Sequence, residues 1–297
     1  MCSYFIPRFR PWSFPGRLVK TPVLPPSLDL AGQTGIITGG YTGLGYKSAD
    51  NLLSHNLSRL IITVPDWKVA REATANLANL HPHANIEVWF LDMLCYTSIQ
   101  HFIWKCDTIL DRIDFVILSA GILSDNFIIN TSTNHETTFQ VNYLSTVLLT
   151  ILLLPVLKSK NIPNKPARIT LIGSSLALSA KFPEQRSNTL ISAFDNKGYW
   201  EIADRYSTTK LLLLMFIVKL KSYVDSDEVV VNVVNPGLMQ NEGLDQWVIK
   251  TNFGDEVGPM ANELKIEPGA STFHDAACLK LKTTTHGTWL SSWGVHP

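Results

Sequence analysis

Of the eight tyrosines in the chain, only Tyr206 has a lysine four positions later, in the run Tyr206-Ser207-Thr208-Thr209-Lys210. On a helix that interval is one face, so the Lys210 ammonium would lie beside the phenol and could stabilise its ionised form. A phenol tuned in this way can give or take a proton near neutral pH, as a carbonyl oxygen requires when a hydride reaches its carbon. A tyrosine and a lysine at this spacing are more often mere helix neighbours. The pair gains meaning from a second feature, Thr38-Gly39-Gly40-Tyr41-Thr42-Gly43-Leu44-Gly45, which follows a short apolar run and opens a helical stretch. Gly39, Gly43 and Gly45 permit a tight turn, close approach of backbone to a pyrophosphate, and contact between helix and strand. The helix start with Leu44 offers unpaired N–H groups to the anion. Such a glycine turn is a weak signal alone, but it stands between the first strand and first helix, where a dinucleotide would need it.

The elements that would carry these residues follow from periodicity. After Leu28, short apolar runs alternate with helical patterns, the signature of β-α-β units. Strands are expected at Gly35 to Thr38, Leu60 to Val64, Ile86 to Leu91, Phe115 to Ser119, Arg168 to Gly173, Val229 to Val234 and Gly287 to Leu290. They alternate little between apolar and polar, as strands covered on both faces do. Helices are expected at Gly45 to His55, Trp67 to Leu80, Ser98 to Leu110, Glu136 to Leu157, Arg205 to Tyr223 and after Pro268. The expected fold class is α/β: one doubly wound domain over residues 30–297, with a seven-stranded parallel sheet and no repeat or second domain. Residues 181–201, polar but carrying Phe182, Phe194, Tyr199 and Trp200, break the rhythm and read as an inserted loop near a site.

Composition excludes several classes. With 297 residues, 45% of them apolar, the chain is not disordered, and 25 Lys+Arg against 25 Asp+Glu supply no counter-charge for nucleic acid. Four scattered cysteines, without a C-x-x-C pair, suggest neither a disulfide framework nor a zinc site; they fit a reducing compartment, and no metal is expected. The longest apolar stretch, Val147 to Leu157, falls short of the ~20 residues that cross a bilayer. Residues 1–29 carry Arg8, Arg10, Arg17 and Lys20 and no acid before Asp29, like an organelle-targeting leader. Six prolines between Pro7 and Pro26 oppose the helix such leaders form, so a surface-draped arm and a cytoplasmic location are preferred. In the cytosol the sequons at Asn56 and Asn130 carry no meaning.

Thr-Gly-x-x-x-Gly-x-Gly resembles the dinucleotide fingerprint of the short-chain dehydrogenase/reductase family, and further matches follow in order. Leu91-Asp92 looks like its adenine-side aspartate, Ser119-Ala120-Gly121 is similar to its Asn-Ala-Gly turn, Phe139-Gln140-Val141-Asn142 resembles its asparagine-bearing helix, and Asn235-Pro236-Gly237 matches its Pro-Gly turn. The resemblance covers roughly residues 30–297 and implies a Rossmann-like fold. It also implies a catalytic set in which Tyr206 is the acid or base. Lys210 tunes Tyr206 and holds the nicotinamide ribose, Asn142 fixes a water of the proton relay, and a serine ending the fifth strand orients the substrate oxygen. Of Ser174 and Ser175, Ser175 aligns with the second serine of the family's usual pair and is chosen, with Ser174 left to satisfy local backbone. Ser119 and Asn241 depart from the family's asparagine and threonine, and Asn241 could still hold the nicotinamide carboxamide.

The cofactor choice turns on the end of the second strand. Val64 stands where an NAD-type relative carries its acid, Pro65 where many NADP-type relatives carry arginine. Lys68 and Arg71 could reach a 2′-phosphate and Asp66 a 2′-hydroxyl, so NADP is preferred and NAD stays open. Residues 181–201 and 238–260, the latter with Trp247, Val248, Ile249 and Phe253, suggest an apolar, bulky substrate. The sequence is similar to the retinol-dehydrogenase-like branch and to reductases of fungal secondary metabolism, which implies a polyketide or terpenoid ketone. Helices Glu136 to Leu157 and Arg205 to Tyr223 are apolar nearly all round, and the family's equivalent pair forms a dimer, so a homodimer is expected. Besides an NADP-dependent ketone reductase or alcohol dehydrogenase, a non-redox dehydratase, isomerase or cyclase and a non-catalytic nucleotide sensor stay open.

Overall fold

Ile36 and Ile37 are neighbours in β1 (Thr34–Thr38), and both are wholly buried, one in each of two separate cores. Ile61 and Ile62 of β2 (Arg59–Val64) and Val116 and Ile117 of β4 (Phe115–Leu118) divide in the same way. Successive side chains of a strand point to opposite faces, so apolar runs of this kind demand a layer of helices on each side of the sheet. The computed structural model describes residues 25, 27–162, 165–237, 266–279, 282–291 and 294–296 and has that arrangement. Most of the expected arm, the expected loop 238–260 and Asn241 lie outside the described residues.

The sheet order is β3-β2-β1-β4-β5-β6-β7-β8, with β3 (Asn85–Phe90), β5 (Ala167–Ile172), β6 (Val229–Asn235), β7 (Trp289–Ser291) and β8 (Gly294–His296). The seven expected parallel strands are present. An eighth is added, antiparallel to β7, because the two residues between them allow a hairpin and no crossover. Strand order reverses between β1 and β4, which opens a crevice beyond their carboxyl ends, the place where doubly wound sheets bind ligands.

One face is covered by α1 (Gly43–Ser54), α2 (Trp67–Leu80) and, late in the chain, the helix Ile266–His274; the other by α3 (Tyr96–Ile109), α4 (Thr137–Ser159) and α6 (Ile202–Leu220). Among the described residues α4 alone is long and apolar enough to cross a bilayer. Its packing explains its apolarity, since Leu149, Leu153 and Leu157 are fully buried in the core. Residues 181–201 are ordered as the turns Pro183–Arg186 and Lys197–Tyr199 around α5 (Leu190–Phe194).

His274 is wholly buried, with Nε2 3.0 Å from Ser48 Oγ on α1 and 3.1 Å from Ser48 O. Burial pushes its pKa down to about 3, the hydrogen bond to Ser48 opposing the shift. An unfolded imidazole takes its proton near pH 6.5, so between there and about 3 the unfolded chain binds a proton that the folded chain refuses. Stability is complete above that window and is lost as pH falls through it. Urea unfolding is expected to show a lower midpoint at about pH 5 than at about pH 7.5, and His274→Gln is expected to flatten this difference.

Candidate active site

Glu201 starts α6 by accepting from the Ala203 and Asp204 backbone N–H groups, which sets Tyr206 in the helix's second turn. The Ser174 side chain, on the turn that leaves β5, lies near the Tyr206 phenol and draws its pKa down. It also accepts from Leu176 N at 3.2 Å, the local backbone role expected of it. Ser175 is the residue expected to orient the substrate oxygen. Its backbone N–H donates to Asn235 Oδ1 at 3.2 Å, and its hydroxyl has no partner among the described residues.

Burial pushes the Tyr206 phenol up to about 12, with Ser174 pulling the other way. Lys210 Nζ donates to Ile172 O at 2.9 Å and lies 5.4 Å from the Tyr206 ring centroid, and burial brings its pKa down to about 8. Desolvation weighs against both ionised forms, and the ammonium is held by a carbonyl rather than by the phenol oxygen.

Asn142 is brought to the same place on a π-helical turn, Gln140–Ser145, within α4. Its side chain donates to Ile122 O and accepts from Ile122 N, both at 2.8 Å, so the amide braces the segment after β4. Thr146 Oγ1 donates to Val141 O at 2.9 Å, taking up a carbonyl in the widened turn. Glycine is required beside it: a Cβ on Gly121 would stand 3.3 Å from Asn142 Oδ1 and 3.7 Å from Lys210 Nζ.

The glycine turn abuts this cluster through Ala120. A Cβ on Gly39 (φ +68°) would lie 3.2 Å from Ala120 Cα, and one on Gly45 only 2.4 Å from Gly39 O. Gly43 has φ 53°, a left-handed conformation that favours glycine. Thr42 makes no side-chain cap on α1, so N–H groups of its first turn, with Leu44 at its head, are left for an anion. This cradle fits a dinucleotide pyrophosphate. Gly45→Ala forces the new methyl into the Gly39 carbonyl and is expected to weaken NADPH binding at least about tenfold, measured by fluorescence titration, with the fold retained by circular dichroism.

Asp92, expected at the adenine side, accepts from Leu94 N through Oδ1 at 2.8 Å, and Ser119, just beyond β4, is partly buried. Asp66 caps α2 by accepting from Lys68 N at 2.9 Å, so one of its oxygens is already engaged. The Lys68 side chain is exposed; that of Arg71 is outside the described residues. Sequence reasoning noted Asn235 only as part of a turn. Its amide accepts from Ser175 N and Gly237 N and donates to Ser291 Oγ, tying the serine turn to β6 and β7. An asparagine ending a core strand made only of valines and one other asparagine was the available signal.

The short chain dehydrogenase profile matches residues 33–185. The chain is 42% identical to the short chain dehydrogenase/reductase mfmJ of Annulohypoxylon moriforme over 278 residues, 92% of this chain and 79% of that protein. It is 39% identical to the short chain dehydrogenase opdN of Penicillium oxalicum, over 91% of this chain and 90% of that one. Among solved structures it is similar to the Pseudomonas aeruginosa RhlG/NADP complex, with a TM-score of 0.67, 21% identity and coverage of 89% of this chain and 96% of that one. A short-chain dehydrogenase from Sphingobium yanoikuyae in complex with NADPH gives a TM-score of 0.60 at 15% identity, over 80% and 82% of the two chains. Likeness to fungal proteins of this name runs through nine-tenths of the sequence, and the profile match takes in both the glycine cradle and the serine turn: the chain belongs to the short-chain dehydrogenase family.

Proposed function

We propose that the protein is an NADP-dependent short-chain reductase that acts on a bulky apolar ketone, or on the matching alcohol in reverse, in secondary-metabolite biosynthesis. The observation that carries this reading is the pairing of Tyr206 with Lys210, whose Nζ lies 5.4 Å from the phenol ring centroid, in a cluster backed onto the glycine cradle through Ala120 and Gly121. Gly39, Gly43, Leu44 and Gly45 would hold the pyrophosphate, with Asp92 and Ser119 at the adenine side. Bound there, the nicotinamide supplies or accepts a hydride.

The chain's own residues manage the oxygen and its proton. Burial keeps the phenol protonated at neutral pH, which suits an acid that must deliver a proton to a carbonyl oxygen turning into a hydroxyl. Ser174 orients that oxygen beside Tyr206, and Lys210, cationic below about pH 8, offsets charge left on the phenol. Asn142 acts here as the brace of the loop beside Lys210.

NADP is favoured over NAD because Val64 puts no carboxylate at the strand end, Asp66 is partly spent on its cap, and Lys68 is an exposed cation one turn into α2. The apolar substrate is supported by exposed Leu178, Leu190 and Ile191 on the chain leaving the serine. A cytoplasmic location agrees with Cys95, Cys106 and Cys278 being free thiols.

Mixing the protein with NADPH or NADH and a panel of bulky ketones tests the reading. Loss of nicotinamide absorbance is expected. Substrate conversion with the cofactor unchanged would mean a non-redox enzyme on the same scaffold, and binding without conversion a nucleotide sensor. A homodimer is proposed from Ile151 on α4 and Met215 and Val218 on α6, about half exposed on the two helices that cover one sheet face. Sedimentation is expected to give a dimer that Met215→Glu with Val218→Lys converts to monomer.

A further inference from the structure

Residues 181–201 leave the serine turn and return into α6 a few residues before Tyr206, so both ends of the insertion are anchored at the reacting groups. Side chains hold it in place. Lys181 N donates to Asp204 Oδ1 at 2.6 Å; Asp195 accepts from Glu136 N at 2.8 Å and lies 2.9 Å from His135 Nδ1; Phe194 stacks on Phe139 with centroids 4.0 Å apart.

At the centre is Arg205, the residue before Tyr206 and only 2% exposed. Its Nη1 is 3.1 Å from Glu184 Oε1 of the insertion, its Nε 3.5 Å from Glu136 Oε2, and its guanidinium lies 4.5 Å from the Phe194 ring centroid. Glu136 itself accepts from Thr138 N and Phe139 N and so starts the helix that carries Asn142. One cation thus touches the insertion, the tyrosine helix and the asparagine helix.

As a stabiliser this cluster is a poor design. Burial raises the Glu136 pKa, and among the described residues Glu184 Oε2 and the Nε, Nη1 and Nη2 atoms of Arg205 have no hydrogen-bond partner of good geometry, only the close charge contacts above. Apolar residues of the same volume would pack there at less desolvation cost, whereas ion pairs are directional and fix one placement. We propose that Arg205 is a positioning residue: it clamps residues 181–201 as a cap beside Ser174 and Tyr206, and the placement of that cap sets which bulky carbonyl compounds reach the phenol. This inference rests on the reductase reading.

The test compares Arg205→Met, Arg205→Lys and the double variant Arg205→Met with Glu184→Gln, using NADPH with 2-decalone as the bulky ketone and cyclohexanone as the small one. Arg205→Met is expected to raise KM for 2-decalone by about tenfold, leaving KM for cyclohexanone and Kd for NADPH within about twofold. Amides of residues 181–201 are expected to exchange at least about tenfold faster, with those of residues 207–217 unchanged. The double variant, freed of an unpaired Glu184 carboxylate, is expected to recover melting temperature but not KM. Should Arg205→Met fail to fold, Arg205→Lys, which keeps the charge and loses the planar fork, carries the same comparison with a smaller shift. Recovery of KM together with melting temperature, or unchanged exchange in residues 181–201, would overturn the proposal. If the parent reduces neither ketone, the reductase reading fails, and hydrogen exchange still decides the clamp.

Discussion

Tyr206→Phe is expected to lower the rate of ketone reduction by about 10³-fold, leaving NADPH affinity within about twofold, because it deletes one oxygen and almost no volume. The magnitude follows from the position of that oxygen. Burial holds its proton up to a pKa of about 12, so at neutral pH it is a loaded donor. Single-turnover measurements at saturating nucleotide would place the loss in the chemical step. A loss confined to KM would instead assign the phenol to substrate binding alone.

Ser174→Ala and Ser175→Ala are expected to diverge sharply. In the proposed role, removing the Ser174 hydroxyl takes away the hold on the substrate oxygen, so a drop of about 10²-fold in kcat is expected, as for the loss of one preorganised donor. It also removes the acceptor for Leu176 N, so a small fall in melting temperature accompanies the loss. Ser175→Ala keeps the backbone bond to Asn235 and leaves no partner unsatisfied, so kcat within about twofold of the parent is expected. The reverse ranking, measured by steady-state kinetics on the purified variants, would return the role to Ser175.

Much of this site was legible before any coordinates. The glycine turn, the spacing of Tyr206 and Lys210 and the run of both-face-buried strands each depend on local period, which a sequence displays directly. What local period could not show was direction and partnership. Alignment to a serine pair points to Ser175, whereas the local bonds of the two serines, Ser174 Oγ accepting from Leu176 N and Ser175 N donating to Asn235 Oδ1, come only from the fold. The bonds of the Asn142 amide to Ile122 join segments 20 residues apart, which no local pattern displays. Arg205 was passed over as a charged residue on a helix, because nothing local signals that Glu136, 69 positions earlier, and Glu184 fold against it. β8 escaped because Gly294-Val295-His296 is too short to carry a strand pattern and exists only as the return leg of a hairpin.

The most direct test of the central claim is isotopic. The protein is incubated with NADPH deuterated at the transferable position of its nicotinamide and with 2-decalone, and the alcohol is analysed by mass spectrometry. The account predicts one deuterium on the carbinol carbon of each product molecule, with formation of that product lost in Tyr206→Phe. Product without label, or conversion that proceeds equally well in Tyr206→Phe, would contradict it.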